Sequence, residues 1–421
     1  MAEASVLVPV LSRPIDARIR PPGSKSETIR ALAAAALADG RSHLYGALTA
    51  EDTMAMVTAL RALAIEVGVD SEPWTVDGHG GRLSAPPRPI DVNESGLAAR
   101  ILVALAGSLD GATTITGRGK LPQRPMEGLL TALRSQGVGI SGDRLPLEVI
   151  GRGPLWGGPI EVDCSATSQF ATALMLAAPI MHTSCRLEIK GLTGSRGYLD
   201  MTASAMRRFG AVVEPTVTGY EIANGGYSVA DVVIEPDASA AVYPMAVAAI
   251  TGGRVVIEGL GKSSRQPDLD VAPVLESMGC RVSWGEADLT VDARGVELSA
   301  VDVEMSEAPD GSLAVAVVCL FADGLSRISG LESLRHKESD RLEAMSGEIA
   351  RIGGSAHVEG DTLVIEPGHL HGASIDPHGD HRIAMALATV GTRVAGIRVV
   401  FPDVVGKTWP LFWSFLDDLD R

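Results

Sequence analysis

The stretch from Asp237 to Gly259, DASAAVYPMAVAAITGGRVVIEG, is one copy of the pattern that decides the fold of this chain. A polar cluster is followed by an apolar run long enough for a helix, then by Gly253, a short run rich in β-branched residues and Gly259. This order predicts a buried helix followed at once by a strand. The same order recurs at intervals of about 71 residues, so we predict six copies in the chain.

Three sets of glycines mark equivalent places in successive copies. The first set opens the short strand: Gly40, Gly111, Gly253, Gly324 and Gly396, with Thr183 in the third copy. The second set closes it, at separations of 71, 74, 68 and 71 residues: Gly46, Gly117, Gly191, Gly259 and Gly330. The third set is Gly68, Gly137, Gly210, Gly279 and Gly353. There we expect a second helix to end, because glycine readily takes the left-handed conformation past a helix terminus.

The sixth copy is incomplete, since only a strand and one helix, predicted over Lys407 to Leu419, follow Gly396. Residues 5–20 are predicted to be extended and can supply the missing strand. The pattern therefore predicts an α/β (α+β) protein of two lobes with three copies each. Residues 1–22 plus 236–421 would form a discontinuous C-terminal lobe, and residues 23–235 the N-terminal lobe.

The composition is typical of a large protein with tightly packed cores. Of the 421 residues 46% are hydrophobic but only 4% aromatic, which indicates cores of Ala, Val, Leu and Ile. No apolar run approaches the roughly 20 residues of a membrane span. The N-terminus has neither a basic region nor a transit-like tract, so we expect a cytoplasmic protein that does not bind membranes.

Charge and cysteine content exclude further classes. The net charge of −16 argues against nucleic acid or an acidic membrane as a partner. Four cysteines lie far apart in apolar surroundings without a CxxC motif, which favours buried free thiols over a metal site or a disulfide.

The first helix of each copy begins with a polar cluster. In chain order these clusters are Gly23-Ser24-Lys25-Ser26 with Arg30, Glu94-Ser95-Gly96, Thr167-Ser168-Gln169, Asp237-Ala238-Ser239, Asp310-Gly311-Ser312 and Asp380-His381-Arg382. If the copies are structurally equivalent, these helix N-termini converge within each lobe. Helix N-termini attract anions. We therefore predict a small, highly charged anionic ligand between the lobes.

Capping alone would explain the Ser, Thr and Asp residues of these clusters. It does not explain Lys25, Arg30, His381 and Arg382, since cations at a helix N-terminus oppose its dipole. A bound anion removes that conflict.

The second helices add more cations. Gln123-Arg124-Pro125-Met126 is predicted to open one of them, and the run Arg335 to Arg341 is predicted to place Lys337 and Arg341 on one helical face beside Glu338. A solvated face with internal ion pairs is the alternative interpretation. The equivalent position of Lys407 in the sixth copy favours a binding site.

Nucleotide and metal motifs are missing from the sequence. Pro-Gly-Ser-Lys-Ser at residues 22–26 lacks the GxxxxGK[ST] spacing, no GxGxxG follows a strand, and no zinc-ligand spacing occurs. We expect chemistry without a nucleotide, a metal or another cofactor.

In their order and spacing these motifs resemble the enolpyruvyl transferases, over nearly the whole chain. The pieces that carry the resemblance are Pro22-Gly-Ser-Lys-Ser with Arg30, Arg124-Pro-Met, Ser168-Gln169-Phe170, Ser195 with Tyr198, Pro309-Asp310, Lys337-Glu-Ser-Asp-Arg341, Asp380-His-Arg382 and Lys407-Thr408. The resemblance implies a two-lobed inside-out α/β barrel of six βαβαββ units. It also implies a monomer.

The implied reaction belongs to the shikimate pathway, which leads to chorismate and the aromatic amino acids. The enolpyruvyl group of phosphoenolpyruvate is transferred to the 5-hydroxyl of shikimate 3-phosphate by addition and elimination, with release of phosphate and without a cofactor. The N-terminal lobe would be the shikimate 3-phosphate side, and the C-terminal lobe the phosphoenolpyruvate side with the catalytic carboxylates. Glyphosate would be an inhibitor in place of phosphoenolpyruvate.

The resemblance assigns residues to each role. The implied phosphoenolpyruvate set is Lys25, Gly96, Arg124, Gln169, Arg341, Arg382 and Lys407. The implied shikimate 3-phosphate set is Lys25, Ser26, Arg30, Thr167, Ser168, Gln169, Ser195, Tyr198, Asp310, Ser333 and Lys337. Asp310 is the better candidate base and Glu338 the better acid, with Lys25 able to share either role and His381 in support.

The chain departs from the family pattern at the second helix start. Glu94-Ser95-Gly96-Leu97 stands where Asn-Ala-Gly-Thr is common. Either the helix start is shifted without effect, or Glu94 and Leu97 weaken the binding of phosphoenolpyruvate and, still more, of glyphosate. Gly197 replaces a common Pro, and Ser333 a common Asn.

Two other functions stay open at this point. A sister carboxyvinyl transferase would act on another acceptor, and a non-catalytic homologue would only bind anions. The joint presence of Lys25, Asp310, Glu338 and Lys407 argues against the second, because binding an anion does not require two carboxylates.

Overall fold

The structure is a computed structural model and describes residues 4–420. The chain divides into two compact units, each with its own hydrophobic core. The continuous unit is Gly23–Glu235, and the discontinuous unit combines Met1–Pro22 with Pro236–Arg421.

Twelve α-helices form within residues 4–420. They are α1 Lys25–Leu37, α2 Glu51–Ala62, α3 Gly96–Gly107, α4 Glu127–Ser135, α5 Gln169–Ala177, α6 Gly197–Arg208, α7 Ala238–Thr251, α8 Val271–Ser277, α9 Ser312–Cys319, α10 Arg341–Arg351, α11 His381–Gly391 and α12 Phe412–Asp418. Short 3-10 helices lie at Leu121–Gln123, Ala178–Ile180, Pro267–Asp270, Glu332–His336 and Pro402–Lys407.

The strands of the same range are short. In chain order they are β1 Ser5–Leu7, β2 Asp16–Ile19, β3 Asp39–Tyr45, β4 Glu66–Gly68, β5 Trp74–His79, β6 Ile90–Asp91, β7 Asp110–Thr116, β8 Gly139–Ser141, β9 Leu147–Arg152, β10 Gly158–Asp163, β11 Cys185–Lys190, β12 Val213–Pro215, β13 Gly219–Ile222, β14 Asp231–Val233, β15 Arg254–Glu258, β16 Arg281–Trp284, β17 Asp288–Asp292, β18 Asp302–Glu304, β19 Ser326–Ser329, β20 Ser355–Glu359, β21 Thr362–Glu366, β22 Ser374–Ile375 and β23 Arg398–Val400.

These strands form six small sheets, three in each unit. The continuous unit has the orders β14-β3-β5-β4, β6-β7-β9-β8 and β10-β11-β13-β12, and the discontinuous unit has β2-β15-β17-β16, β18-β19-β21-β20 and β22-β23-β1. In every four-stranded sheet the first pair is parallel and the other pairs are antiparallel. The three-stranded sheet likewise combines one parallel pair with an antiparallel neighbour. All six sheets thus repeat the strand arrangement of a βαβαββ unit, so the predicted sixfold repeat is confirmed.

The N-terminal strands complete two sheets of the discontinuous unit. β1 pairs antiparallel with β23, with Ser5 opposite Val400, and so supplies the strand that the sixth copy lacks. β2 pairs parallel with β15 and provides the first strand of the fourth copy. The prediction that residues 5–20 contribute strands is therefore confirmed.

Each unit is built with helices inside and sheets outside. Every residue of α3, α9 and α11 is buried, and α1, α5 and α7 are nearly as enclosed. A helix that is apolar on all sides must lie in a core. The helices α1, α3 and α5 contact one another, as do α7, α9 and α11, and their many alanines allow close approach. This is the inside-out arrangement that the family resemblance implied.

Three second-helix predictions were wrong in detail. Lys337 follows a 3-10 helix in an extended conformation (φ −88°, ψ −151°) and α10 begins only at Arg341, so the two cations do not share one helical face. Lys407 ends a 3-10 helix, and the last α-helix begins at Phe412. Pro125 lies ahead of α4 rather than in its first turn.

One member of the third glycine set was also misassigned. Gly137, Gly210, Gly279 and Gly353 have the positive φ expected beyond a helix end, but Gly68 lies in β4. The left-handed residue after α2 is Ala64, with φ 64°. An alanine there pays a steric cost that glycine avoids.

Residues 4–420 contain no helix that combines the length and apolarity needed to cross a bilayer. The four cysteines are free and buried, as predicted, and burial raises the pKa of the Cys164 and Cys185 thiols to about 12.

Candidate active site

Asp310 lies at the start of α9 and faces three cations of the discontinuous unit. Its Oδ1 atom is 2.8 Å from Arg341 Nη1 and 3.2 Å from Lys337 Nζ, while Oδ2 is 3.2 Å from Arg382 Nη2. The Arg341 and Arg382 side chains are almost completely buried, so these ion pairs are weakly screened by water. The structure thus brings together four residues that the motifs assign to substrate binding: Asp310, Lys337, Arg341 and Arg382.

Arg341 joins Asp310 to two further carboxylates. Its Nη2 atom is 2.8 Å from Glu338 Oε2, and its Nε atom donates to Asp380 Oδ2 at 2.7 Å. Lys407 Nζ lies 3.7 Å from Glu338 Oε1. Both candidate proton carriers, Asp310 and Glu338, therefore contact the same guanidinium.

Helix caps fix this geometry locally. Asp340 accepts the Glu343 N–H at the start of α10, and Asp380 accepts the Arg382 N–H at the start of α11. Asp380 also accepts from Ser339 Oγ at 3.1 Å. The cap of α11 thus holds both Arg341 and the segment before α10 in place.

The charges in this cluster shift the pKa of its members. Burial alone would raise the pKa of the Asp310 carboxyl, but Arg382, Lys337 and Arg341 outweigh burial and hold it well below its ordinary value. Burial would lower the pKa of Arg341, but Asp380, Asp310 and Glu338 raise it above its usual range. Asp310 is therefore ionised, and Arg341 is a fixed cation.

His381 lies in the first turn of α11 with its ring fully buried. Burial, reinforced by Arg382, keeps the pKa of His381 well below its ordinary value, so the ring is neutral. Neither ring nitrogen makes a hydrogen bond within residues 4–420. A neutral, unsatisfied imidazole beside these cations suits the supporting role predicted for it.

In the continuous unit, Lys25 occupies the first position of α1, after the cap residue Ser24. Its Nζ atom is 3.3 Å from Oδ2 of Asp52, which lies in the first turn of α2 and is 4% exposed. Asp52 was not predicted from the sequence. Its carboxylate fixes the lysine ammonium at the helix start.

Arg124 and Gly96 are also close together in the continuous unit. A Cβ atom on Gly96 would lie 2.7 Å from Arg124 Nη1 and 2.6 Å from Arg100 Nη1. Arg100 is 1% exposed and donates to the carbonyl oxygens of Gly96 and Pro125 at 2.9 and 2.8 Å, with its guanidinium over the Phe170 ring. Gly96 is therefore the residue that leaves space for two guanidinium groups.

Arg30 links α1 to α6. Its Nε atom donates to Thr202 Oγ1 at 2.8 Å, and its Nη groups donate to the carbonyl oxygens of Ser26 and Tyr198 at 3.0 and 3.2 Å. Burial lowers the pKa of Arg30 to about 10, partly offset by Tyr198 and Glu27. Arg30 thus contacts the backbone of two other residues predicted for shikimate 3-phosphate, Ser26 and Tyr198.

The start of α5 carries the next predicted group. Thr167 Oγ1 accepts the Gln169 N–H at 3.3 Å, and Ser168 occupies the N-cap position without a capping hydrogen bond from its side chain. Gln169 Oε1 is buried without a hydrogen-bond partner in the described residues. Thr172 of α5 lies 3.3 Å from the Thr202 hydroxyl that Arg30 contacts. Hydrogen bonds thereby connect α1, α5 and α6.

Two predicted residues lie outside the α-helices. Ser195 lies two residues before the start of α6 with a positive φ of 61°, and its carbonyl oxygen accepts the Tyr198 N–H at 3.3 Å. Ser333 is half-buried in the 3-10 helix Glu332–His336, and within the described range it takes no part in the Asp310 ion-pair network.

The unusual α3 start has a definite packing. Glu94 lies against the loop at Gly119, where a Cβ atom would be 2.1 Å from Glu94 Oε1. Leu97 is 4% exposed and belongs to the core of the continuous unit. Leu97 thus has a packing role in that core. The effect of Glu94 and Leu97 on ligand binding stays a prediction.

Sequence reasoning missed Asp52, Arg100 and the contact role of Asp380. A buried arginine four residues after Gly96 in an apolar helix was a usable signal, whereas the Asp52 and Asp380 pairings join residues far apart in sequence. Within residues 4–420 no group of three or more His, Cys, Asp or Glu side chains is placed to hold a metal ion.

The solved structures that this chain resembles define its class as the enolpyruvyl transferases. EPSP synthase from Acinetobacter baumannii superposes with a TM-score of 0.80 at 26% identity, over 98% of this chain and 97% of that one. The enolpyruvyl transferase NikO from Streptomyces tendae shares the fold, with a TM-score of 0.78 at 18% identity, over 99% of this chain and 98% of that one.

Sequence comparison narrows the class. Residues 11–416 match the family EPSP synthase (3-phosphoshikimate 1-carboxyvinyltransferase). Proteins named 3-phosphoshikimate 1-carboxyvinyltransferase from Methanosphaerula palustris and Pseudoalteromonas translucida are 37% and 36% identical to it; the former match covers 96% of both chains, and the latter 94% of this chain and 95% of the relative. The chain belongs to the EPSP synthase family, which confirms the resemblance found in its motifs.

Proposed function

We propose that this protein transfers the carboxyvinyl group of phosphoenolpyruvate to the 5-hydroxyl of shikimate 3-phosphate and releases phosphate. Membership of the EPSP synthase family supports this activity. The observation that carries it is the network in which Arg341 contacts both Asp310 and Glu338. Such a network offers anion-binding groups and two carboxylates at one place.

We assign the substrate contacts as the motifs implied. The proposed phosphoenolpyruvate residues are Lys25, Gly96, Arg124, Gln169, Arg341, Arg382 and Lys407. The proposed shikimate 3-phosphate residues are Lys25, Ser26, Arg30, Thr167, Ser168, Gln169, Ser195, Tyr198, Asp310, Ser333 and Lys337. The discontinuous unit carries the catalytic carboxylates in this assignment, and the continuous unit chiefly holds shikimate 3-phosphate.

Electrostatics accounts for substrate binding. Both substrates are polyanions whose mutual repulsion must be offset by fixed cations. Four cations of the discontinuous unit, Lys337, Arg341, Arg382 and Lys407, belong to one ion-pair network with Asp310, Glu338 and Asp380. These four cations are the groups proposed to bind the phosphate and carboxylate groups of the substrates.

The addition step needs two proton transfers. As the 5-hydroxyl oxygen bonds to C2 of phosphoenolpyruvate, Asp310 accepts the hydroxyl proton and Glu338 donates a proton to the methylene carbon. Anionic substrates would share the cations that now hold Asp310 and so make it a stronger base. Lys25, paired with Asp52, can share either role.

Elimination completes the reaction. A proton leaves the new methyl group, the C2–O bond to phosphate breaks, and the carbon–carbon double bond reforms in the product. Removal of that proton requires a carboxylate, and Glu338 is one after the addition step. Asp310 passes the proton that it took from the 5-hydroxyl to the departing phosphate, so both side chains return to their starting protonation states.

Partners and setting form part of the same proposal. We propose that glyphosate competes for the phosphoenolpyruvate residues and that the protein works as a monomer without nucleic acid. Four free, buried thiols fit a reducing cytoplasm. Neither a metal nor another cofactor is required for the steps above.

A phosphate-release assay with the purified protein tests the activity. With phosphoenolpyruvate and shikimate 3-phosphate together, we expect one phosphate per carboxyvinyl group transferred, and none with either substrate alone. Release only with a different acceptor would identify a sister carboxyvinyl transferase. Tight binding of both substrates without release would identify an anion-binding protein, and either result would overturn the proposal.

A further inference from the structure

Asp268 joins the starts of two central helices in the discontinuous unit. It lies in the 3-10 helix Pro267–Asp270 and is 1% exposed. Its Oδ2 atom accepts from Ser239 Oγ in the first turn of α7, and its Oδ1 atom accepts the Gly311 N–H at 3.1 Å. Gly311 directly follows Asp310, so Asp268 holds the backbone that carries the candidate base.

Helix capping does not explain a carboxylate at this position. Asp237 already accepts the Ala240 N–H of α7 at 3.0 Å, and Gln266 Oε1 accepts the Ala238 N–H at 3.0 Å. The Gly311 N–H also reaches the Ala308 carbonyl oxygen at 3.1 Å. A neutral amide could make the two hydrogen bonds named above, to Ser239 and Gly311, without the cost of burying a charge.

Charged groups face Asp268 from all three central helices. Asp237 approaches from the start of α7, Asp310 from the start of α9 and Arg382 from α11. Burial is the main reason that the pKa of Asp268 is raised, and the Asp310 and Asp237 carboxylates raise it further. Arg382 and the hydrogen bond from Ser239 lower it, without reversing the direction. The surroundings therefore disfavour the negative charge that this residue carries when ionised.

We propose that Asp268 is a positioning residue for Asp310 in the reaction proposed above, holding the Gly311 backbone and opposing with its charge the cations that weaken Asp310 as a base. Three cations contact Asp310, and a second carboxylate nearby offsets part of their effect. Asp268 itself exchanges no proton with substrate. The hydroxyl proton goes to Asp310, as before.

The variant Asp268→Asn separates charge from shape. Its amide oxygen can accept from Gly311 and its amide group can donate to Ser239, while the charge is lost. We expect kcat to fall about tenfold with both KM values within about twofold, because only the transition state needs a stronger base. Wild-type kcat should fall when acidification protonates Asp268, and the variant should lack this fall because it resembles the protonated form.

Thermal stability gives a second readout. The pKa of Asp268 is raised in the folded protein, so the folded state binds its proton more tightly than the unfolded state. The resulting stabilisation is present at low pH and is lost as the pH rises through the folded-state pKa. At pH 7.5 we therefore expect Asp268→Asn to have a Tm equal to or above that of the wild type.

The matched control is Asp270→Asn, which removes an exposed carboxylate from the same 3-10 helix and should leave kcat, KM and the pH profile unchanged. An Asp268→Asn variant with unchanged kcat, or one whose lowered kcat accompanies a lowered Tm, would overturn the inference. If the wild type transfers no carboxyvinyl group, the proposed function fails as well. If the wild type is active and Asp268→Asn has the same kcat, the proposed role of Asp268 is contradicted while the proposed function stands.

Discussion

The Arg341 side chain pairs with three carboxylates of the candidate site. Its guanidinium reaches Asp310, Glu338 and Asp380 at 2.7 to 2.8 Å, and it is 1% exposed. Lysine offers a point charge without the planar fork and cannot hold all three carboxylates in these positions.

We expect Arg341→Lys to lower kcat/KM at least about tenfold and also to lower the Tm, because each lost hydrogen bond to a charged group costs about 1.5–3 kcal/mol. Phosphate-release kinetics and calorimetry measure the two effects. Arg351→Lys is the control, since Arg351 is on the same helix but its own side chain is more than half exposed, and it pairs with Glu348 rather than with the carboxylates of the site. Equal losses in the two variants would contradict the role of Arg341.

At Glu94 and Leu97 the sequence allows two interpretations that an inhibition measurement separates. If these residues weaken anion binding, the double variant Glu94→Asn, Leu97→Thr should be inhibited at lower glyphosate concentrations than the wild type and have a lower KM for phosphoenolpyruvate. The physical reason is the loss of a like charge and the gain of a hydroxyl donor. Glu148→Gln, at an exposed position of β9, controls for net charge. Equal inhibition constants would show that the α3 start has no such effect.

Among the structural elements, the ends of the second helices show how far local sequence determines conformation. Ala64 adopts φ 64° after α2, whereas four other copies have a glycine of positive φ at the equivalent place. One of these glycines is Gly137, with φ 85°. Ala64 is exposed, and a Cβ atom on Gly137 would meet nothing within 4 Å. Packing therefore does not interfere at either position, and the backbone conformation alone decides.

We expect Ala64→Gly to stabilise the protein by about 1 kcal/mol and Gly137→Ala to destabilise it by about as much, since a left-handed residue with a Cβ atom costs roughly that amount. Denaturant unfolding measures both. Ala62→Gly, at the last residue of α2, should instead destabilise the protein slightly, because helical φ and ψ favour alanine over glycine. A stabilising Gly137→Ala would show that factors other than backbone strain govern this turn.

The accuracy of the sequence predictions varied between elements for physical reasons. The first-helix starts were predictable because caps such as Ser24 and Asp380 and the following apolar run are local signals. The starts of the second helices were harder to predict, because 3-10 helices that contain proline precede α4, α8 and α12. The ion pairs were least accessible: Asp310 meets Arg341 and Arg382 only through the packing of α9, α10 and α11, which no local pattern encodes.

At the scale of the whole molecule, the two units differ in how the chain builds them. In the continuous unit every sheet is complete within Gly23–Glu235, because β14 returns to pair with β3, with Val232 opposite Leu44. In the discontinuous unit β1 and β2 come from the N-terminal residues. The first unit thus has all its strands in one uninterrupted segment.

We therefore expect a fragment of residues 23–235 to unfold cooperatively on heating, with circular dichroism as the measure, whereas residues 236–421 alone should not, because two of their three sheets each lack a strand. Ser12 donates from its backbone and hydroxyl to Asp420, so the N-terminal segment of that unit contacts the end of its C-terminal segment. Connecting residue 421 to residue 1 by a flexible linker of about 10 residues, in a chain that runs from Pro236 to Pro22, should restore cooperative unfolding. A cooperative transition in 236–421 without residues 1–22 would show that β1 and β2 are dispensable, and an unfolded 23–235 fragment would show that the continuous unit depends on the rest of the chain.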